Sequence, residues 1–197
     1  MNNATNDAIN PKTSMPESEQ RPILAATQKW LQTIVIGLNF CPFAQREFDK
    51  STIHYALVDS RKTEDVLTAL QAEWQRLDQQ PDIATTLLIL PYGFEGFWDY
   101  LELVDLAEQL LVMEGYEGIY QVASFHPDYC FADADEQDPA NFTNRSPYPM
   151  LHILREAQLS QALDHHPDPE AIPQTNIDKA RAMGYQQLEA LRAACLS

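Results

Sequence analysis

The sequence predicts a single α/β domain: a β-α-β-α-β core with a small, mainly parallel sheet, one N-terminal helix and two C-terminal helices. Three observations predict it. Segments rich in β-branched and aromatic residues, 52–58, 85–90 and 119–125, alternate with segments whose apolar residues recur every three or four positions. The connections between these segments are short, which favours parallel neighbours. The chain has 197 residues, 45% of them apolar, enough to build one hydrophobic core. A ferredoxin-like α+β arrangement of the same elements is the alternative.

Residues 1–20 are polar, with two prolines and almost no large apolar groups. They read as a disordered tail, and residues 21–197 as the domain. The first helix follows Pro22. Leu24, Leu31, Ile34, Val35 and Leu38 form its apolar stripe, and Asn39 and Pro42 end it. TIHYALV, Thr52 to Val58, is the first strand. Thr63 caps a second helix with Glu64 and Asp65 in its first turn; Val66, Leu70, Trp74 and Leu77 face inward, and Pro81 lies beyond its end. TTLLIL, Thr85 to Leu90, is continuously apolar, as a strand covered on both faces should be, and Pro91 stops it. GFEGF, Gly93 to Phe97, turns into a third helix whose core side carries Phe97, Tyr100, Leu101, Val104, Leu110 and Leu111. Gly115 suits its C-cap.

IYQVASF, Ile119 to Phe125, is the third strand. A long loop then runs to about Ser146, and loops of that length are often functional. A helix from Pro147 to Leu163, a Pro-rich linker (HHPDPEAIP) and a last helix from Asn176 complete the chain. That last helix uses Ile177, Ala180, Gly184, Leu188 and Leu191. No internal repeat is visible.

The net charge is −16 and the pI about 4.5. Such a field repels phosphate backbones, so the expectation is no nucleic-acid partner and no membrane partner. No apolar run reaches the roughly 18 residues of a membrane helix. The N-terminus has neither a basic start nor an apolar h-region. Cys41, Cys130 and Cys195 are odd in number and widely spread, which suits a reducing compartment rather than a disulfide framework. The expected localisation of this acidic protein is cytoplasmic.

Against that charge, TNRSPYPMLHILRE, Thr143 to Glu156, stands out, because it gathers Arg145, His152 and Arg155. With Ser146 as N-cap and Pro147 at the first helical position, a helix starts here. At 100° per residue Met150, Ile153, Leu154 and Ala157 face the core, and His152, Arg155 and Glu156 the opposite side. A helix N-terminus with an arginine beside it is a natural anion site. If the three strands are parallel, ligands bind outside their C-terminal ends. Residues 59–61, 92–94 and 126–128 would line that rim, and Arg145 would return to it.

Cys41, in NFCPFA, follows a helix C-terminus, whose negative end raises a thiol pKa, and reads as a small buried residue in the wall. Cys41, His126, Cys130 and His152 are soft ligands, but their spacing matches no zinc pattern. His165 and His166 read as loop surface. DADEQD, Asp133 to Asp138, lacks the glycine and terminal glutamate of a calcium loop. No Walker loop, GxGxxG or GxSxG is present.

GLNFCPFA, SFHPDY and NRSPYPMLHILRE together resemble the uncharacterised bacterial domain-of-unknown-function family 1415, over about residues 25–195. The resemblance implies signature positions at Asn39, Cys41, Pro42, His126, Pro127, Asn144, Arg145, Ser146, Pro147, His152 and Arg155. Many are polar, and polar signatures suit a site better than packing. This chain departs from the pattern at Phe40, where leucine is expected, and at Cys130, where glutamine is expected. The second departure weakens Cys130 as a metal ligand.

The function expected from sequence is therefore a pocket for a small anionic metabolite. Asn144, Arg145, Ser146, Arg155 and Tyr92 bind it, with Phe94 and Tyr148 able to cover its apolar part. His126 or His152 moves a proton if the chain is an enzyme, and Cys41 supports the wall. No metal ligand set is assigned. A Cys/His metal site using Cys41, His126 and His152, and a non-catalytic interaction module, are the alternatives. The sequence specifies no cofactor, reaction or oligomeric state.

Overall fold

The computed structural model describes residues 15–197. Fourteen residues of the expected tail lie outside that range. Helix α1 spans Glu17–Trp30, with Pro16 at its N-cap, so Pro22 sits inside it rather than before it. The N–H that Pro22 lacks would reach only Ser18, in the first turn. The helix continues as a π-helical segment, Leu31–Ile36, marked by bonds from Gly37 N–H to Gln32 O and from Phe40 N–H to Val35 O. Then follow α2 (Ala44–Asp49), β1 (Ile53–Leu57), α3 (Thr63–Gln79), β2 (Thr85–Ile89), α4 (Phe97–Met113) and β3 (Tyr120–Phe125). These match the predicted strands and helices within a residue or two, α2 being additional.

The chain departs from expectation after residue 146. Met150–Arg155 is a strand, β4, and the helix α5 begins only at Glu156 and runs to Asp164. The apolar positions of MLHILR fit a helix face, but they also fit a strand buried on both sides. Pro147 and Pro149 bias their predecessors toward extended backbone. Two waiting partners settle the competition: β4 pairs antiparallel with β2 (Leu87 opposite His152) and with β3 (Ala123 opposite His152). The order is β1-β2-β4-β3, and β1 and β2 are parallel, so the ferredoxin-like alternative is not adopted. β1, β2 and β3 run in one direction with β4 inserted against them.

The last predicted helix is two, α6 (Ile172–Met183) and α7 (Tyr185–Ala194), so α6 starts inside the predicted linker. They are broken at Gly184, whose φ of 82° suits glycine.

Alternation along the strands divides the core. On one face Leu88, Leu90, Leu151 and Ile153 pack with Val66, Leu70 and Trp74 of α3 and Tyr100, Leu103 and Ala107 of α4. On the other, Leu87, Ile89 and Met150 pack with Trp30 and Ile34, and with Ala180 and Leu188 of the C-terminal helices. β2 is buried throughout, as its continuous apolar run requires.

The lower end of the first face is closed by Arg155. Its guanidinium donates to the carbonyls of Leu77, Gln80 and Ile83 and to Tyr120 Oη, and so caps the C-terminus of α3. Asp78 accepts from Tyr116 and Tyr120 beside it. Replacing Arg155 with Met strands these carbonyls. The expected loss is about 3 kcal/mol of unfolding free energy, measured by urea denaturation, with native helix content retained.

Candidate functional site

β1, β2 and β3 end at a common rim, because Phe125 lies opposite Met150, Met150 opposite Ile89, and Ile89 opposite Leu57. The segments 59–61, 92–94 and 126–128 leave from it, and the chain returns there through Arg145 to enter β4. The rim expected from sequence therefore exists, although the helix expected to start there at Pro147 is replaced by the approach to β4.

His126 closes β3 and is buried. Its Nε2 lies 2.9 Å from the Phe94 carbonyl, which can only accept, while its Nδ1 accepts from Asp128 N–H at 3.0 Å. The two contacts together specify the neutral Nε2–H tautomer. Phe97 and Tyr100 pack on the ring. Burial pushes its pKa down, against the smaller opposing pull of the Phe94 carbonyl. Backbone bonds from His126 N–H to Asn144 O and from Ser146 N–H to His126 O join the two ends of the long loop.

Asn144 donates to Ser124 O and accepts from Thr143. Ser146 is not an N-cap; its hydroxyl donates to Tyr148 O at 2.6 Å and shapes the approach to β4.

Arg145 is buried. Nε donates to Tyr129 O at 3.0 Å, Nη2 to Glu136 O at 2.7 Å and Nη1 to Tyr185 Oη at 3.3 Å. The guanidinium lies between the rings of Phe142 and Tyr185, 4.8 and 5.5 Å from their centroids. Its own carbonyl accepts from Trp30 Nε1. No carboxylate forms an ion pair with it among the described residues. A buried guanidinium without an opposite charge is unusual. Of its five N–H donors, three are engaged, so two are left.

Tyr92 leaves β2 next to Tyr148, the two strand ends being joined by Leu90 N–H to Pro149 O. Arg61 lies over the Tyr92 ring and pairs with Glu95. Gly93, at φ 90°, lets that turn pass against Arg61; a Cβ there would come within 2.6 Å of Arg61 Cα. Phe94 is buried, so it is wall rather than cover. Cys41 packs at the edge of the second core beneath this rim. Its thiol pKa is raised chiefly by burial, with N–H groups of Phe43 and Ala44 opposing.

Two predicted members do not join this group. Arg155 ends β4 at the opposite rim, about 17 Å away along a six-residue strand. His152 sits two residues inside the sheet, with Nε2 2.7 Å from Thr85 Oγ1 and its ring beside Phe125. Helical phasing gave His152 and Arg155 a common face; strand geometry sends them to different faces and depths.

The second core holds a feature that periodicity did not reveal: the π-helical segment runs directly into Asn39, whose φ is 55°. π-helical turns are frequent at functional sites. Asn176 and Lys179 of α6 donate to the Phe40 and Leu38 carbonyls and clamp this turn. Two further residues escaped sequence reasoning. Asn141 is buried and ties Phe131 N–H to the Asp135 carbonyl within the long loop. Glu73 is a buried carboxylate between Arg76 at 3.1 Å and His54 at 3.5 Å, on the other face of the sheet. A buried carboxylate within a helix leaves no local sequence signal.

Among the described residues, no group of three or more His, Cys, Asp or Glu side chains is placed to hold a metal ion. The Cys41–His126–His152 set in particular lacks the donors, because both nitrogens of His126 are bonded to backbone. Nor is any described helix long and apolar enough to cross a membrane.

The model of a family described as protein of unknown function, DUF1415, matches residues 22–190. The chain belongs to the DUF1415 family. No curated protein and no solved structure matches it. In this DUF1415 chain two of the motifs that carry the resemblance, the end of β3 and the return into β4, meet at one rim through the backbone of His126, Asn144 and Ser146, and Trp30, on the helix that precedes the NFCP turn, donates to the Arg145 carbonyl.

Burial pushes the pKa of His152 down to about 4. Above the unfolded value of about 6.5 both states are neutral and no proton is linked to folding. As pH falls below it, the unfolded chain takes up a proton that the folded chain refuses, so stability is lost down to about pH 4. Between pH 7 and 5 this one ring costs about 2 kcal/mol. His152→Gln should lose that much less than wild type over the same interval, in urea midpoints at the two pH values.

Proposed function

We propose that this rim binds a small anionic molecule and that Arg145 is its anchor. The observation that carries the reading is the buried Arg145 guanidinium, which has no carboxylate partner and has two N–H donors to spare. Buried charges are ordinarily paired, and a guanidinium fork matches carboxylate or phosphate oxygens. The carbonyls of Tyr129 and Glu136 aim the fork, and Tyr185, partly exposed, accepts from its Nη1. Asn144 and Ser146 position the loop that carries Arg145. Tyr92 and Tyr148 supply aromatic cover at the neighbouring strand ends. Arg155 has no part in the proposal, being a helix cap at the far rim.

The proposal is one of binding: both nitrogens of His126 are committed to backbone groups, and His152 lies inside the sheet, away from Arg145. The proposed setting is a reducing, cytoplasmic one, which the three free cysteines support.

The test is thermal denaturation with inorganic phosphate, pyrophosphate and citrate, each against sodium chloride at equal ionic strength. A true ligand at about 100 times its Kd adds about 2.7 kcal/mol, or roughly 5–10 °C for a chain of this size. The wild type should show that shift with one of the anions, and Arg145→Lys, which keeps the charge and loses the fork, should not. Equal shifts in both proteins, or none beyond the chloride control, would refute the reading.

A further inference from the structure

Helix α4 is apolar on two sides. Tyr100, Leu103, Val104, Ala107 and Leu111 bury one side in the core. Trp98, Leu106, Val112 and Met113 point outward, with Trp98 80% and Met113 81% exposed. At 100° per residue these four fall within one arc of about 120°. They run along about 22 Å of helix, and exposed Ile119 follows just past its end. Scattered single apolar residues on a surface are ordinary; a row on one helix face, led by a tryptophan and a methionine, has the composition of an interface.

The segment that carries this row has charge of one sign, and Arg61, which reaches the turn before it, pairs with Glu95. Between Arg76 and Arg145 the chain has no lysine or arginine and 14 aspartates and glutamates. On the exposed side of α4, Glu102 and Asp105 lie between the apolar residues, with Asp99 and Glu108 beside them, and none of the four forms an ion pair among the described residues. An apolar row flanked by unpaired carboxylates disfavours a second copy of itself, because like charges would be brought together. It disfavours an anionic lipid surface for the same reason. It is complementary to a chain segment with an apolar stripe bordered by lysine or arginine.

We propose that the outward face of α4 docks a basic amphipathic segment of a partner polypeptide, with Trp98 and Met113 as the anchors at its two ends. Helix-in-groove recognition uses such apolar anchors, and the flanking charges set orientation and partner choice.

The structure supplies a reporter. Trp30 and Trp74 are buried, so Trp98 is the one solvent-exposed tryptophan. The probe is a helical peptide of about 15 residues made of leucine and lysine with one apolar face. It is compared with a permuted peptide of the same composition that has no face, and with a leucine–glutamate version.

The face-forming leucine–lysine peptide should shift Trp98 emission to the blue saturably, and bind at least about tenfold tighter than the permuted one. Binding should weaken about tenfold or more between about 50 and 500 mM sodium chloride. Met113→Glu should weaken it about tenfold with an unchanged melting curve, and Leu196→Glu, at an exposed position on another surface, should leave it unchanged. Equal binding of the permuted peptide would reduce the effect to net charge and overturn the proposal, as would equal loss in Leu196→Glu. Two other outcomes would assign the face elsewhere. Self-association in sedimentation that Met113→Glu abolishes means a second copy; a blue shift with phosphatidylcholine vesicles means lipid.

Discussion

Hydrogen bonding along both edges of β4 is the constraint on which the rest of this fold depends. β3 reaches the sheet only through β4, and β4 runs opposite to it. A strand inserted in that sense must be entered at the rim where β3 ended, so the chain from His126 to Pro149 has to leave and return at one place. Most of the polar residues in that stretch serve this return. His126 holds the turn of Phe94 and the backbone of Asp128, Asn144 holds Ser124, Asn141 and Arg145 hold the loop's own carbonyls, and Ser146 bends the chain toward Tyr148.

An unexpected economy follows in the electrostatics. The chain has 29 acidic residues, yet its two central arginines are satisfied by main-chain carbonyls and aromatic faces rather than by carboxylates. Carbonyl partners fix the direction of a guanidinium without neutralising it. At Arg155 the helix dipole of α3 supplies the missing negative potential. At Arg145 the partners are the carbonyls of Tyr129 and Glu136 and the rings of Phe142 and Tyr185. His126 and His152 are neutral for a related reason: burial and neutral partners favour the uncharged ring.

The rim and the outer face of α4 share a short piece of backbone. Phe97 packs its ring on His126 and Tyr129, while its neighbour Trp98 points to solvent. The first turn of α4 therefore belongs at once to the wall behind the rim and to the exposed row. Both features sit on rigid secondary structure, the inner side of α4 being buried along its length.

Three strands, the helices between them and the buried character of β2 were legible in the sequence. Each is a local pattern: alternation, a run of β-branched residues, an apolar stripe bounded by proline or glycine. The rim was legible too, since it follows from strand direction. MLHILR was not, because six mostly apolar residues suit a buried helix face and a doubly covered strand alike. Only the free edges of β2 and β3 chose between them. The same choice separated Arg145 from Arg155, which sequence spacing had joined, while Glu73 stayed invisible until His54 met it from another segment. What the sequence determined by itself was the set of elements, because their periodicity is written in consecutive residues. The tertiary structure alone decided which polar groups meet, because a hydrogen-bond partner tens of residues away leaves no mark on local pattern.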